Sequence, residues 1–142
     1  MLRYRLLHPE ILAGLARAGH GSKVLIADGN YPFATGSHPA APRVFLNLSP
    51  GLVKVTDVLA TLAEAIPIEA ATVMVPAEGP EPPIFDEFRQ LLPPGIDLQS
   101  LGRLPFYEAA RQPEVALVIA TAEERIYANL LLTIGVVSSQ GG

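Results

Sequence analysis

The 142-residue chain has no cysteine and no tryptophan. Without cysteine it has no disulfide, no thiolate metal ligand and no cysteine nucleophile. Charge is scarce as well: 17% of residues are charged, against roughly a quarter in an average soluble domain. Ten lysines and arginines stand against fourteen aspartates and glutamates, for a formal net charge of -4. That balance supplies no excess of positive potential, so neither nucleic acid nor an anionic membrane surface is an expected partner. Long apolar runs are missing too. The stretch from Val115 to Ala122 falls well short of the roughly 20 residues a spanning helix needs. Pro9, Glu10 and Arg17 break the leucine-rich start, which therefore lacks the pattern of a secretory signal, and a cytoplasmic location is expected. Nor is there a Walker-type phosphate loop, a Gly-x-Gly-x-x-Gly after a strand, a His pair at metal-ligand helical spacing, or a Gly-x-Ser-x-Gly nucleophile elbow.

What is present fits one domain, because the length is near the commonest domain size. Hydrophobic residues make up 49%, and with so little charge this predicts that apolar surface is buried between subunits. Pro9 to Ala18 reads as a helix with proline in its first turn and Gly19 after its end. Lys23 to Ala27 reads as a buried strand closed by Asp28-Gly29-Asn30, and Arg43 to Leu48 as a second strand. Thr56 is the expected N-cap of a helix running to Ile66, which Pro67 ends. Ala71 to Val75 is a third strand, the proline-bearing stretch from Ala77 to Pro83 a rigid connection, and Ile84 to Leu92 a helix. Ile96 to Leu101 reads as a strand, Pro105 to about Arg111 as a helix, and Val115 to Thr121 and Asn129 to Ile134 as the last two strands. Strands and helices alternate along most of this order. The pattern predicts a single α/β domain over residues 1–142, a three-layer sandwich with a mostly parallel sheet.

Few residues remain that can carry chemistry. Gly19-His20-Gly21 sets an imidazole in a turn where its neighbours add no side-chain bulk, and histidine titrates in the range useful for general acid and base work. Taken alone, the triplet also fits a surface histidine in a helix-ending loop. Asp28 follows Val24-Leu25-Ile26-Ala27 and so lies at the carboxyl end of a strand, where open α/β sheets bind ligands. An Asp-Gly turn is the plainer reading. Tyr127 and Asn129, just before the last strand, offer a phenol and an amide that can both donate and accept. Arg103 brings a fixed fork of donors close to Phe106 and Tyr107, a combination that can hold hydroxyls and cover the apolar face of a sugar, although a solvent-exposed salt bridge is the more usual role of a lone arginine.

In order and spacing, Gly19-His20-Gly21, the strand ending in Asp28 with Pro32 behind it, Arg103 with Phe106-Tyr107-Glu108, and Tyr127-Ala128-Asn129 with Gly135-Val136 together resemble the ribose pyranase and fucose mutarotase family. The resemblance implies a cofactor-free, metal-free mutarotase that opens and recloses the ring of a free monosaccharide. It implies His20 as proton donor and Asp28, Arg103, Tyr127 and Asn129 as sugar contacts. It also implies a homo-oligomer, with a decameric ring as the form found among similar bacterial proteins. The Arg103 to Glu108 segment is more similar to the fucose mutarotase branch, since pyranases tend to have a histidine in this region that is not evident here. L-Fucose or a related sugar is thus the expected substrate, with D-ribose pyranase activity or non-catalytic sugar binding as the alternatives. Two departures stand out: the Asn30 to Pro42 loop is unusual, and Thr121-Ala122-Glu123 stands where Thr-Gly-Glu is expected.

Overall fold

The computed structural model describes residues 1–139; residues 140–142 of the expected domain lie outside the described residues. The elements are α1 (Pro9–Arg17), β1 (Lys23–Ala27), β2 (Arg43–Phe45), α2 (Val55–Ala65), β3 (Ile68–Met74), α3 (Ile84–Leu91), β4 (Leu98–Leu101), α4 (Arg103–Ala110), β5 (Val115–Ala120) and β6 (Leu130–Ile134). The strands form one sheet in the order β2-β5-β1-β6-β3-β4. Pairs β2–β5, β5–β1 and β3–β4 are parallel. Strand β6 alone runs the other way, antiparallel to both β1 and β3.

Successive strand residues point to opposite faces, and the sheet buries both. Val24 and Ile26, Leu117 and Ile119, Leu130 and Leu132, and Ala71 and Val73 meet the apolar stripes of α1, α2 and α3. Leu25, Val118, Leu131 and Met74 face the other way, toward Phe106 and Ala110 of α4 and Tyr31 of the β1–β2 connection. Helices thus cover both faces, in agreement with the expected three-layer sandwich. Gly14 lets α1 lie close on β5, because a Cβ there would come within 2.9 Å of a Leu117 methyl. The long connection after β1 is held by Arg43, whose Nε donates to the Phe33 carbonyl at 2.7 Å, Nη1 to Ala41 at 3.0 Å and Nη2 to the Ser37 hydroxyl at 2.9 Å. Among the described residues no helix is long and apolar enough to cross a membrane.

Several boundaries differ from expectation. Strand β2 stops at Phe45, because the chain then folds back through the Ser49–Leu52 bridge. Strand β3 begins at Ile68, three residues early, because Ile68 pairs with Ile134 of β6 despite the exposed Glu69 that follows. Thr56 is not the N-cap of α2 but its second residue; Lys54 caps it, with its N–H donated to Asp57 Oδ2 at 3.3 Å. Helix α4 begins at Arg103, with Pro105 inside its first turn, where a missing N–H costs nothing.

Candidate functional site

The reversed strand β6 builds the site. Because it runs against β1, its entry point meets the exit of β1: Leu130 is paired with Ile26, so Asn129 and Asp28 are neighbours. The Asp28 N–H donates to Asn129 Oδ1 at 2.8 Å, and the Asp28 carboxylate accepts the Asn30 N–H at 3.0 Å and the Ala128 N–H at 3.2 Å. On the far side of β6, Val73 pairs with Leu130, and Met74 pairs with Leu101. Two residues further on, Arg103 opens α4. Four segments remote in sequence thereby converge at one end of the strands.

They enclose a small cleft of about 140 Å³ lined by Asp28, Asn30, Tyr31, Met74, Arg103, Tyr107, Ile126, Tyr127 and Asn129. Asp28 and Asn129 are buried, while Arg103 reaches from the exposed start of α4. Among the described residues the Arg103 guanidinium makes no hydrogen bond or ion pair, so its donors are available to a ligand. Tyr31 turns its hydroxyl away, donating to the Gly36 carbonyl, and gives the cleft its ring, which meets Tyr107 edge to face at 5.4 Å. Burial raises the Tyr31 phenol above its ordinary range. Burial also raises the Asp28 carboxyl, and the backbone N–H groups of Asn30, Ala128 and Tyr31 and the Asn129 side chain oppose it. Tyr127 adopts a left-handed backbone, φ 57°, unusual for a residue with a Cβ. The chemistry on offer is hydrogen bonding from an amide, a phenol, a guanidinium and a carboxylate, beside the apolar Met74 and aromatic rings.

Four of the five expected site residues therefore come together, and His20 does not join them. Gly21, at φ 85°, donates its N–H to the Ile134 carbonyl at 2.9 Å, which ties the His20 turn to the far end of β6. Strand β6 separates that end from Asn129, a distance on the order of 15 Å at strand rise. There the His20 Nε2 lies 3.1 and 3.2 Å from the two Glu69 carboxylate oxygens. The pair is open to solvent, with side chains 59% and 45% exposed.

Of the two aromatics expected beside Arg103 one reaches the cleft, and Glu69 is not among the residues expected from sequence. Tyr107, one helical turn beyond Arg103, lines the same cleft, whereas Phe106 is buried in the core. Glu69 follows Pro67, where the helix reading had ended and no strand had begun; only the pairing with β6 brings it beside His20.

The chain is similar along most of its length to fucose mutarotases and D-ribose pyranases. It is 33% identical over 143 residues to the fucose mutarotase of Danio rerio, with 92% of this chain and 90% of that protein covered. It is 31% identical over 136 residues to the D-ribose pyranase of Paracidovorax citrulli (strain AAC00-1), with 96% and 98% covered. Among solved structures, Bacillus subtilis RbsD complexed with D-ribose superposes with a TM-score of 0.84 at 25% identity, covering 97% of this chain and all of that one. The fucose mutarotase of Streptococcus pneumoniae in complex with L-fucose gives 0.83 at 26%, with the same coverage. The model of the RbsD / FucU transport protein family matches residues 1–137, and the chain belongs to that family.

Proposed function

We propose that this protein, an isomerase that interconverts the ring forms of a free monosaccharide, takes L-fucose or a related 6-deoxyhexose or hexose. The observation that carries the reading is the cleft itself, where Asp28, Arg103, Tyr127 and Asn129 surround about 140 Å³ beside apolar Met74, Ile126 and the Tyr31 ring. A sugar needs many directed hydrogen bonds and one apolar wall, and a 6-deoxy sugar adds a methyl for that wall. Fucose mutarotases and a D-ribose pyranase are similar to this chain to nearly the same degree, so the cleft chemistry is the argument for the choice of sugar.

Ring opening removes the anomeric hydroxyl proton, protonates the ring oxygen and breaks the bond between that oxygen and the anomeric carbon. The aldehyde then rotates and recloses. In the proposed mechanism His20 gives its proton to the ring oxygen. Asp28 receives the anomeric proton, a role suited to a carboxyl that burial raises toward the working range. Arg103, Tyr127 and Asn129 hold hydroxyls, and Tyr107 lies on the same cleft wall.

His20 lies at the opposite edge of the sheet from the cleft in its own chain, so we propose that it is supplied by a second copy. A contact joining two different edges is head-to-tail and closes into a ring when the rotation permits. Exposed apolar residues lie at both edges: Leu104 and Ile126 near the cleft, Val136 and Val137 just after the strand that anchors the His20 turn. A homo-oligomer is therefore part of the proposal, with a decameric ring as its expected form and the cytoplasm as its expected location. Light scattering across a dilution series is expected to give a constant oligomer, and a persistent monomer overturns this part.

NMR magnetisation transfer between the anomers of L-fucose and of D-ribose, at matched concentration, tests the substrate. Exchange of L-fucose is expected to be faster, by up to about 10–200-fold if one methyl contact sets the preference. Faster exchange of D-ribose would make the protein a pyranase.

A further inference from the structure

We propose that Arg125, outside the cleft, is a positioning residue for it: it fixes the β5–β6 connection, and with it Tyr127, onto α2 and α3. The inference rests on the reading of the cleft as the sugar site.

Residues 121–129 hold no helix or strand, yet they present Tyr127 and Asn129. Tyr127 itself is in the left-handed region, which a side chain with a Cβ disfavours, so its conformation has to be imposed from both sides. Downstream, Ala128 and Asn129 are bound to Asp28. Upstream, the restraint is Arg125, with one residue between. Its Nε and Nη2 donate to the two Glu123 carboxylate oxygens at 3.1 and 2.9 Å, and its own backbone N–H donates to the same carboxylate at 3.3 Å. Nη1 donates to Glu87 of α3, and Nη2 stands 3.5 Å from the Thr56 hydroxyl of α2. Glu123 is 3% exposed. A two-pronged arginine–carboxylate contact fixes orientation as well as distance.

Tyr127 is half-buried and packs against the core cluster that holds Leu25, Met74 and Phe106. Ile126 and Tyr127 also line an apolar groove of about 520 Å³ on the side of Pro76, Pro80, Pro82 and Pro83. Arg125 lines the same groove, so the clamp stands beside Tyr127 on the side away from the core.

The test uses the full chain with Arg125→Met and Arg125→Lys, read by saturation of anomer exchange and by amide hydrogen exchange. Arg125→Met is expected to raise KM about tenfold, as for loss of a charged hydrogen bond, with kcat nearly unchanged. Arg125→Lys, which keeps the charge but loses the fork, is expected to fall between. Amides of residues 126–129 are expected to exchange faster while those of β1 and β5 keep wild-type protection. Glu87→Gln removes one arm only, and is expected to raise KM in the same sense if Arg125→Met does not fold. An unchanged KM in a folded Arg125→Met protein overturns the proposal, and so does equal acceleration of all amides. Absence of exchange by the wild type with every sugar overturns the sugar reading instead, and the amide pattern then decides the clamp by itself.

Discussion

Asn129 accepts the backbone N–H of Asp28 at 2.8 Å, a bond between two buried residues 101 positions apart that fastens the reversed strand to the end of β1. Replacing Asn129 by Leu leaves that N–H without a partner and out of water. The expected cost is about 1–3 kcal/mol, read as a lower denaturant midpoint at unchanged slope. A midpoint equal to wild type would contradict the pairing.

Glu123 ties stability to pH. Burial pushes its carboxyl up, but the Arg125 side chain, the Arg125 backbone N–H, the Arg125 charge and the Val55 N–H together outweigh this and hold it below the usual glutamate range. A carboxyl lowered by folding contributes stability above its unfolded value and loses that contribution as pH falls through the folded value. The stability gap between wild type and Glu123→Gln is therefore expected to be widest near neutrality. It should narrow as pH falls below the usual glutamate range. A gap constant from neutrality to acid pH would show that the ionised form is not what matters.

The parts of the fold legible in the sequence were those with strong local patterns. Val24 to Ala27 and Val115 to Ala120 are unbroken apolar runs, and both are buried central strands of the sheet. The direction of β6 had no such signal, since Leu130 to Ile134 reads alike in either sense, and only pairing with β1 and β3 sets it. That direction decides the site. It joins Asn129 to Asp28, while the Gly21 turn, with His20, lies at the other end because it precedes β1. The resemblance implies one site for His20 and Asp28, yet the whole of β1 lies between them in one chain. Glu69 stayed hidden because a charged residue after a proline interrupts the apolar run that marks a strand.

The Glu69 carboxylate faces His20 Nε2 through both oxygens, so the proposed proton transfer to the sugar falls to Nδ1. As an exposed pair it is worth only about 0–1 kcal/mol to the fold, so Glu69→Gln should unfold like wild type. Its effect is expected on the reaction: at least about a tenfold lower exchange rate, within the roughly 10²–10⁴-fold that a positioned acid or base contributes, with sugar affinity retained. Weaker binding at an unchanged rate would remove Glu69 from the proton-transfer machinery.

The division of the site between two edges of the molecule is tested most directly by subunit complementation. His20→Ala and Asp28→Asn proteins are each measured alone by magnetisation transfer between L-fucose anomers, then again after co-refolding as a mixed oligomer. Each variant alone is expected to lose nearly all exchange, because every cleft lacks one partner. The mixture is expected to recover a substantial part of the wild-type rate, from clefts that combine an intact His20 of one copy with an intact Asp28 of another. A mixed oligomer as inactive as the two parents would contradict the account.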